Sequence, residues 1–367
     1  MNIERIILKK IELKMKHPFR TKRGSLTSRP LIIVEAHDRS GLTGYGEVTA
    51  FPEPFYTYET TDTAWHILKD FLIPLFADNP LSHPEQFQEI AASVHGHPMA
   101  KAGLEGAVWD LYAKQKETSL SSLIGGTRKM VQAGAVLSLS DHLEEDITDL
   151  QMEGFERYKL KIIKGKEQEM IESVRAASPD LPIMIDGNGQ YDETDMENLT
   201  ALDRYGLLMI EQPFRSGDFH LHQQLQKRMQ TSICLDESVT SYQDAVQAVG
   251  LGSCRIINVK ISRVGGLAAA KKIHDFCAAS GVPVWCGGMV ESGISKAHNL
   301  ALASLPNFTI PGDLSGSTRY FEADIVKPPL KVQKGALPVP QGHGIGIEVD
   351  EEKLAEVTQQ SSTHTLS

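Results

Sequence analysis

Little in this 367-residue chain points toward a membrane, a nucleic acid or an oxidising compartment. It has four cysteines, Cys234, Cys254, Cys277 and Cys286, and no C-x-x-C pair. Neither a disulfide framework nor a thiolate metal site is therefore expected, and reduced thiols acting as small core residues are. Basic residues are scarce: 37 Lys and Arg stand against 47 Asp and Glu, a net charge of −10. Nucleic-acid binders carry basic patches or stripes, so the charge argues against a phosphate-backbone partner. No apolar stretch approaches the roughly 18 residues of a spanning helix. The N-terminus, Met1-Asn-Ile-Glu-Arg-Ile-Ile-Leu-Lys-Lys, interleaves charge with apolar residues and has no signal-peptide core. A cytoplasmic protein without membrane contacts is expected. Gly41, Gly44 and Gly46 do not make a dinucleotide fingerprint, because no helix pattern opens after them.

What is present is ordinary globular composition, 41% hydrophobic and 23% charged, at a length suited to two domains. The first segment reads as antiparallel strands: Ile6–Leu13, then Leu31–Ala36 and Leu42–Val48 about a turn at Asp38–Gly41. Helical periodicity follows over Thr63–Phe76, Pro84–Val94 and, most clearly, Met99–Lys116. From about Val131 strand and helix alternate. The strands fall at Ala133–Leu139, Tyr158–Ile162, Ile183–Asp186, Leu207–Glu211, Ile233–Asp236, Arg255–Lys260, Val282–Cys286 and Phe308–Ile310. Helices fall at Glu167–Ala177, Glu193–Tyr205, Ser241–Val249 and Leu267–Ala279. Such alternation implies a parallel sheet, and eight strands imply closure. The expected fold is α/β, a (β/α)7β TIM-like barrel over 128–314. An N-terminal α+β capping domain over 1–127 is completed by 315–358, and 359–367 is expected as a flexible tail.

Down the middle of the chain run Lys161, Asp186, Glu211, Asp236 and Lys260, at steps of 25, 25, 25 and 24 residues. Each ends a short apolar run. One barrel unit takes roughly 25–30 residues, so a charge at that pitch lands repeatedly on the rim where such barrels keep their chemistry. Asp186, Glu211 and Asp236 would then converge. Three packed carboxylates cannot all stay ionised without a compensating cation, and a hard divalent ion such as Mg²⁺ suits oxygen ligands. Singly, each acid has a plainer explanation: Asp236 as a helix cap, Glu211 as partner to a lysine. Lys161 and Lys260 flank the acids and would face each other across the ion. Lys159 shares a strand face with Lys161, and two close ammonium groups repel, which lowers the pKa of one or both. The plainer explanation for the lysines is charge balance with the acids. Together the parts suit removal of a proton next to a carboxylate, with the enediolate neutralised by the ion.

The chain resembles the enolase superfamily, and within it the group of o-succinylbenzoate synthases and N-acylamino acid racemases. The resemblance runs from the first strand to about Val349. It rests on Pro18-Phe-Arg, Gly44-Tyr-Gly-Glu, Ala102–Tyr112, Lys159-Leu-Lys, Ile210-Glu-Gln-Pro, Cys234-Leu-Asp-Glu-Ser, Ile257–Gly266 and Trp285–Ser295. It implies Asp186, Glu211 and Asp236 as ligands of Mg²⁺, with Mn²⁺ or another divalent ion as substitute. Lys161 would be the general base, then the acid that protonates the departing hydroxide. Lys260 would stabilise the enediolate or deliver a proton, and Lys159 and Asn188 would assist at the substrate carboxylate. Gly288 and Met289 would offer backbone groups to an acyl arm. Arg20, in a specificity loop that also holds Lys22 and Arg23, and Ser138 complete the implied substrate contacts; Phe55, Tyr56 and Tyr58 form a second such loop. Gly187 stands where relatives usually have Ala. The implied partners are a small-molecule carboxylate substrate and further copies of the chain.

Two activities follow from the resemblance. One is dehydration of 2-succinyl-6-hydroxy-2,4-cyclohexadiene-1-carboxylate in menaquinone biosynthesis; the other is racemisation of N-acyl or N-succinyl amino acids, which needs both lysines. A Schiff-base aldolase using Lys161 or Lys260 would leave three carboxylates without a role. A non-catalytic barrel would tolerate the loss of Lys161.

Overall fold

The computed structural model describes residues 1–21 and 24–366, so Lys22 and Arg23 lie outside the described residues, as does the side chain of Arg20. Its N-terminal part is a four-stranded antiparallel sheet. Ile3–Thr21 pairs with Gly24–Asp38, and that strand pairs with Thr43–Val48. The helix Pro98–Gln115 lies against the last of these, and the approach is close. A Cβ on Gly44 would stand 2.2 Å from Ala107 O, and one on Gly46 2.0 Å from Gly103 O. The glycines spaced like a nucleotide loop are there to let a helix seat on a strand. The helical stretch expected over Thr63–Phe76 runs from Thr61 to Asp78 with a π-turn at Leu68–Leu72.

The fourth strand of that sheet corrects the sequence reading. Thr358–Thr365, which but for Thr358 falls in the expected flexible tail 359–367, pairs antiparallel with the first strand, from Arg5↔Thr365 to Lys10↔Gln360. Leu366 is buried and donates its N–H to Glu4 O at 2.7 Å. The open backbone edge of the first strand supplies the partners, so no apolar alternation was needed to order this polar segment.

The second part is a curled parallel sheet of seven strands in sequence order. They are Ala135–Leu137, Tyr158–Lys161, Ile183–Asp186, Met209–Glu211, Ser232–Leu235, Ile256–Val259 and Val284–Cys286. The eighth expected strand, Phe308–Ile310, is not formed. Instead isolated bridges join Phe308 to Val284 and Asp313 to Gly287 at one edge, and Gly312 to Ala133 at the other. Glu167–Ala177 and Leu267–Ala279 are helices at the expected bounds. Leu143–Met152, Phe219–Arg228 and Gly293–Ala303 are further helices that the periodicity did not mark. The last is buried on nearly all sides, so it carries no polar face to betray its period.

Alternation along the strands builds the interior in layers. Met184, Met209, Cys234, Ile256 and Trp285 form one apolar cluster. Two residues beyond the first four of these come Asp186, Glu211, Asp236 and Asn258, all buried. The apolar layer is thus a floor beneath a polar one. All four cysteines are free and buried, Cys234 accepting from Trp285 Nε1 at 3.2 Å.

Buried carboxylates couple the two parts. Glu47, on the Thr43–Val48 strand, accepts from Ser292 N at 3.0 Å and Ser295 N at 3.1 Å, and from the Ser292 hydroxyl. These groups open the helix Gly293–Ala303. Arg29 reaches across similarly, donating to Val290 O at 2.9 Å and Ala50 O at 2.8 Å. Glu47→Ala should cost about 2–3 kcal/mol in denaturant unfolding, because it strands helix-terminal donors in the interior. Burial, opposed by the Ser292 hydroxyl and reinforced by Glu291, pushes the Glu47 carboxyl from 4.5 up to about 7. The folded state then holds a proton that the unfolded chain has released, so this group's contribution falls as pH rises from about 4.5 to about 7. Glu47→Gln should flatten that part of the profile.

Candidate active site

One cavity of about 970 Å³ opens over the polar layer. Lys159, Lys161, Asp186, Asp236, Lys260 and Asp313 line it, together with Asn188, Gly288, Met289 and Tyr56. Register explains the convergence: Lys161 pairs with Asp186 and Asp186 with Glu211 across adjacent parallel strands, so the strand tips stand side by side.

The charges inside are paired. Lys159 is buried, its Nζ 2.8 Å from Asp186 Oδ2, 2.6 Å from Glu211 Oε2 and 3.0 Å from Asp313 Oδ2. Burial disfavours its charge, but Asp186, Asp313 and Glu211 outweigh that and hold the ammonium well above the ordinary lysine range. This corrects the expectation that repulsion from Lys161 would dominate at Lys159: three carboxylates sit closer. Asp236 accepts from Lys260 Nζ at 3.0 Å and from the Arg263 guanidinium. Burial resists its ionisation, yet Arg263 and Lys260 keep it below the usual carboxylate range. Lys260 also donates to the Tyr56 hydroxyl at 3.0 Å. Burial works against the Lys260 charge as well, and Asp236 overrides it, so its pKa is raised.

Lys161 differs. It is exposed to the cavity, and its side chain has no hydrogen bond or ion pair among the described residues. An amine without a carboxylate partner, beside a cluster of buried charge, can reach a substrate proton without first breaking a salt bridge.

Sequence reasoning missed several members. Arg157 and Asp313 form a pair at 2.7 Å under the cavity. Asn258 donates to Glu211 Oε1 at 3.0 Å. It lies two residues before Lys260 on the same strand face, a period-2 signal that was available. Gln212 accepts through Oε1 from Asp236 N at 3.0 Å and Ser238 N at 3.1 Å, which fixes the loop after the third acid. Asn188 adopts a left-handed φ of 43° and donates its N–H to Asp186 Oδ1 at 3.0 Å. Gly187 has a steric reason: a Cβ there would stand 2.9 Å from Pro213 Cα and 3.0 Å from Gln212 O.

Ser138 is not among the residues that line the cavity. It lies exposed past the strand Ala135–Leu137, and Gly134, Ala135 and Val136 line the cavity instead. Two residues along an extended chain carry it about 7 Å beyond Val136. Arg20 pairs its backbone with Ser25 in the long hairpin of the first two strands.

The donor set fits a hard cation. Burial first, then Asp186, push the Glu211 carboxyl up to about 8 despite Lys159. Glu211 Oε2 is buried without an aligned hydrogen bond. The ammonium 2.6 Å from that oxygen, Lys159, is shared with Asp186 and Asp313, so three carboxylates draw on one cation. Among the described residues no three acidic, His or Cys side chains already stand as a coordination cluster; the cationic side chains Lys159, Lys260 and Arg263 engage the acids.

Comparison with known proteins gives the family. Residues 142–353 match the family described as enolase C-terminal domain-like, and residues 3–125 match the mandelate racemase / muconate lactonizing enzyme N-terminal domain. The chain belongs to the enolase superfamily. It is 48% identical over 354 residues to an o-succinylbenzoate synthase of Bacillus subtilis (strain 168), covering 96% of this chain and 95% of that one. It is 39% identical over 362 residues to an N-succinylamino acid racemase of Amycolatopsis sp, covering 98% of each. The crystal structure of an enolase superfamily member from Listeria innocua Clip11262 superposes with a TM-score of 0.96 at 42% identity, covering 100% of both chains.

Proposed function

We propose that this chain is an o-succinylbenzoate synthase, dehydrating 2-succinyl-6-hydroxy-2,4-cyclohexadiene-1-carboxylate to 2-succinylbenzoate in menaquinone biosynthesis. The observation that carries it is one cavity lined by an unpaired Lys161, a paired Lys260 and the strand-end acids Asp186 and Asp236, with the third acid, Glu211, buried next to Asp186 on the adjacent strand. Its sequence relatives include several o-succinylbenzoate synthases at 41–48% identity over nearly the full length. Asp186, Glu211 and Asp236 would hold Mg²⁺, or Mn²⁺ in its place. When bound, the ion supplies positive charge against the substrate carboxylate and so makes the neighbouring C–H acidic enough to lose its proton.

Lys161 takes the proton from the carbon bearing the carboxylate; its electron pair is delocalised into that carboxylate. Lys260 stays a cation, set by its hydrogen bonds to Asp236 and Tyr56, and offsets the developing negative charge. The C–O bond at the neighbouring carbon then breaks. Lys161 returns its proton to the leaving hydroxide, water departs, and the ring becomes aromatic. Lys159 keeps Asp186 and Glu211 in place beneath the reacting carbon.

Racemisation of N-acyl or N-succinyl amino acids at the same centre is the second reading, because Lys260 also lines the cavity. It ranks behind dehydration: Lys260 donates to Asp236 and Tyr56, and would have to give up a proton shared with them to act as a second base. A side-by-side assay of both reactions tests this. Dehydration should appear with Mg²⁺, vanish with chelator and return on adding the metal back. Racemisation exceeding dehydration under the same conditions would reverse the ranking.

The bridges of 308–313 to both sheet edges support a closed (β/α)7β barrel with the N-terminal sheet and helices as its cap. No described helix is long and apolar enough to cross a membrane. A cytoplasmic homo-oligomer acting on a small carboxylate completes the proposal.

A further inference from the structure

We infer that Arg319 and Lys331 form an anion subsite at the far wall of the cavity, which takes the distal carboxylate of the substrate's succinyl arm. The inference rests on the reading of the site given under the proposed function. From Asp313, at the polar layer, the chain runs along the cavity wall through Leu314, Ser315 and Gly316 to a short turn, Ser317–Arg319. That turn is pinned to a second segment: Ser317 N donates to Leu330 O at 2.8 Å, and Leu330 N donates to the Ser317 hydroxyl at 3.1 Å. A Cβ on Gly316 would stand 3.5 Å from Lys331 Cα, so Arg319 and Lys331 lie on two segments packed together. Both line the cavity.

Charge accounting singles them out. Lys159 and Lys260 are paired with acids, and Arg215 stands 3.3 Å from Asp218. Of the remaining cations lining the cavity, Lys161 belongs to the proposed chemistry. The Arg319 backbone N–H is tied to Gly316 O at 3.1 Å, but the side chains of Arg319 and Lys331 make no hydrogen bond or ion pair among the described residues. Of the carboxylates lining the cavity, Asp186, Asp236, Glu237 and Asp313 belong to the acidic layer, where Glu237 faces Asp236, Asp186 and Lys260; Glu153 is the one other, and against two cations it leaves an excess of positive charge. A substrate with one carboxylate at the reacting carbon needs nothing there. One with a second carboxylate at the end of a flexible arm gains a partner and a fixed orientation, since guanidinium and ammonium groups bind carboxylates through charge-assisted hydrogen bonds. The two residues position the substrate and touch no reacting atom.

The test is calorimetric, on the full chain with Mg²⁺. Two ligands are compared: 2-succinylbenzoate and 2-butanoylbenzoate, which ends in a methyl where the first has its carboxylate. Wild type should favour 2-succinylbenzoate by about tenfold, the scale of one partly solvated charge-assisted contact. The Arg319→Gln, Lys331→Gln double variant should bind both alike, with the affinity for 2-butanoylbenzoate unchanged, and Arg319→Lys should keep most of the preference. A wild type indifferent to the tail, or a double variant that retains the preference, overturns the subsite. Loss of affinity for both ligands alike would assign the two residues a structural role and also overturn it. Should wild type prefer 2-succinylbenzoate but show no dehydratase turnover, the subsite stands and the proposed reaction falls.

Discussion

Lys161→Ala should lower turnover by roughly 10²- to 10⁴-fold, the range of a general-base contribution, while leaving the protein as stable as wild type. The two halves of that result have one cause. Lys161 is exposed and without a partner among the described residues, so its loss breaks no salt bridge and creates no buried hole. A surface truncation of this kind is within about 0.5 kcal/mol of neutral. The Mg²⁺-induced rise in Tm should persist, because the acids that would hold the ion are untouched. Turnover, Tm and the metal-dependent shift measured on one preparation separate the possibilities. Turnover within about tenfold of wild type would remove Lys161 from the chemistry. A large fall in Tm would mean that it has a structural partner after all, and a non-catalytic barrel would show no change in any of the three.

The spacing of the five charged residues was legible because a parallel sheet repeats its geometry: each strand–helix unit has a similar length, so each strand tip recurs at a similar pitch. What spacing cannot convey is which cation meets which anion. Strand alternation places Lys159 beside Lys161, yet its side chain descends among Asp186, Glu211 and Asp313. The third of these, Asp313, lies 127 positions beyond Asp186 (313−186) and joins the strand tips only in three dimensions, through the bridge from Gly287 to Asp313. Arg263 escaped notice for a different reason: it sits on the turn after Lys260, and only the folded turn Ile261–Val264 aims it back at Asp236. Thr358–Thr365 escaped because it is an edge strand of Thr, Gln, Ser and His with polar residues on both faces. Hydrophobic periodicity finds buried faces, and this strand has almost none.

Asp236→Asn should damage both function and fold, and the combination distinguishes this acid from Lys161. Asn has nearly the same shape, so packing is preserved and charge alone is removed. Asp236 is the partner of Lys260 at 3.0 Å and of the buried Arg263 guanidinium. Removing one member of a buried ion pair leaves an uncompensated charge in the interior, at a cost of about 3–5 kcal/mol. In calorimetry without added metal, that corresponds to a fall in Tm on the order of 10 °C. Wild type should gain about 2.7 kcal/mol from Mg²⁺ at a hundredfold excess over Kd, and the variant little of it, since one of its three proposed carboxylate ligands is gone. Turnover should drop at least roughly 10²-fold, as when a stabiliser of developing charge is deleted. An unchanged metal-free Tm would show that Lys260 and Arg263 do not depend on Asp236. A full Mg²⁺ response would show that the ion is held elsewhere, and either result dismantles the charge arrangement from which the proposed mechanism is built.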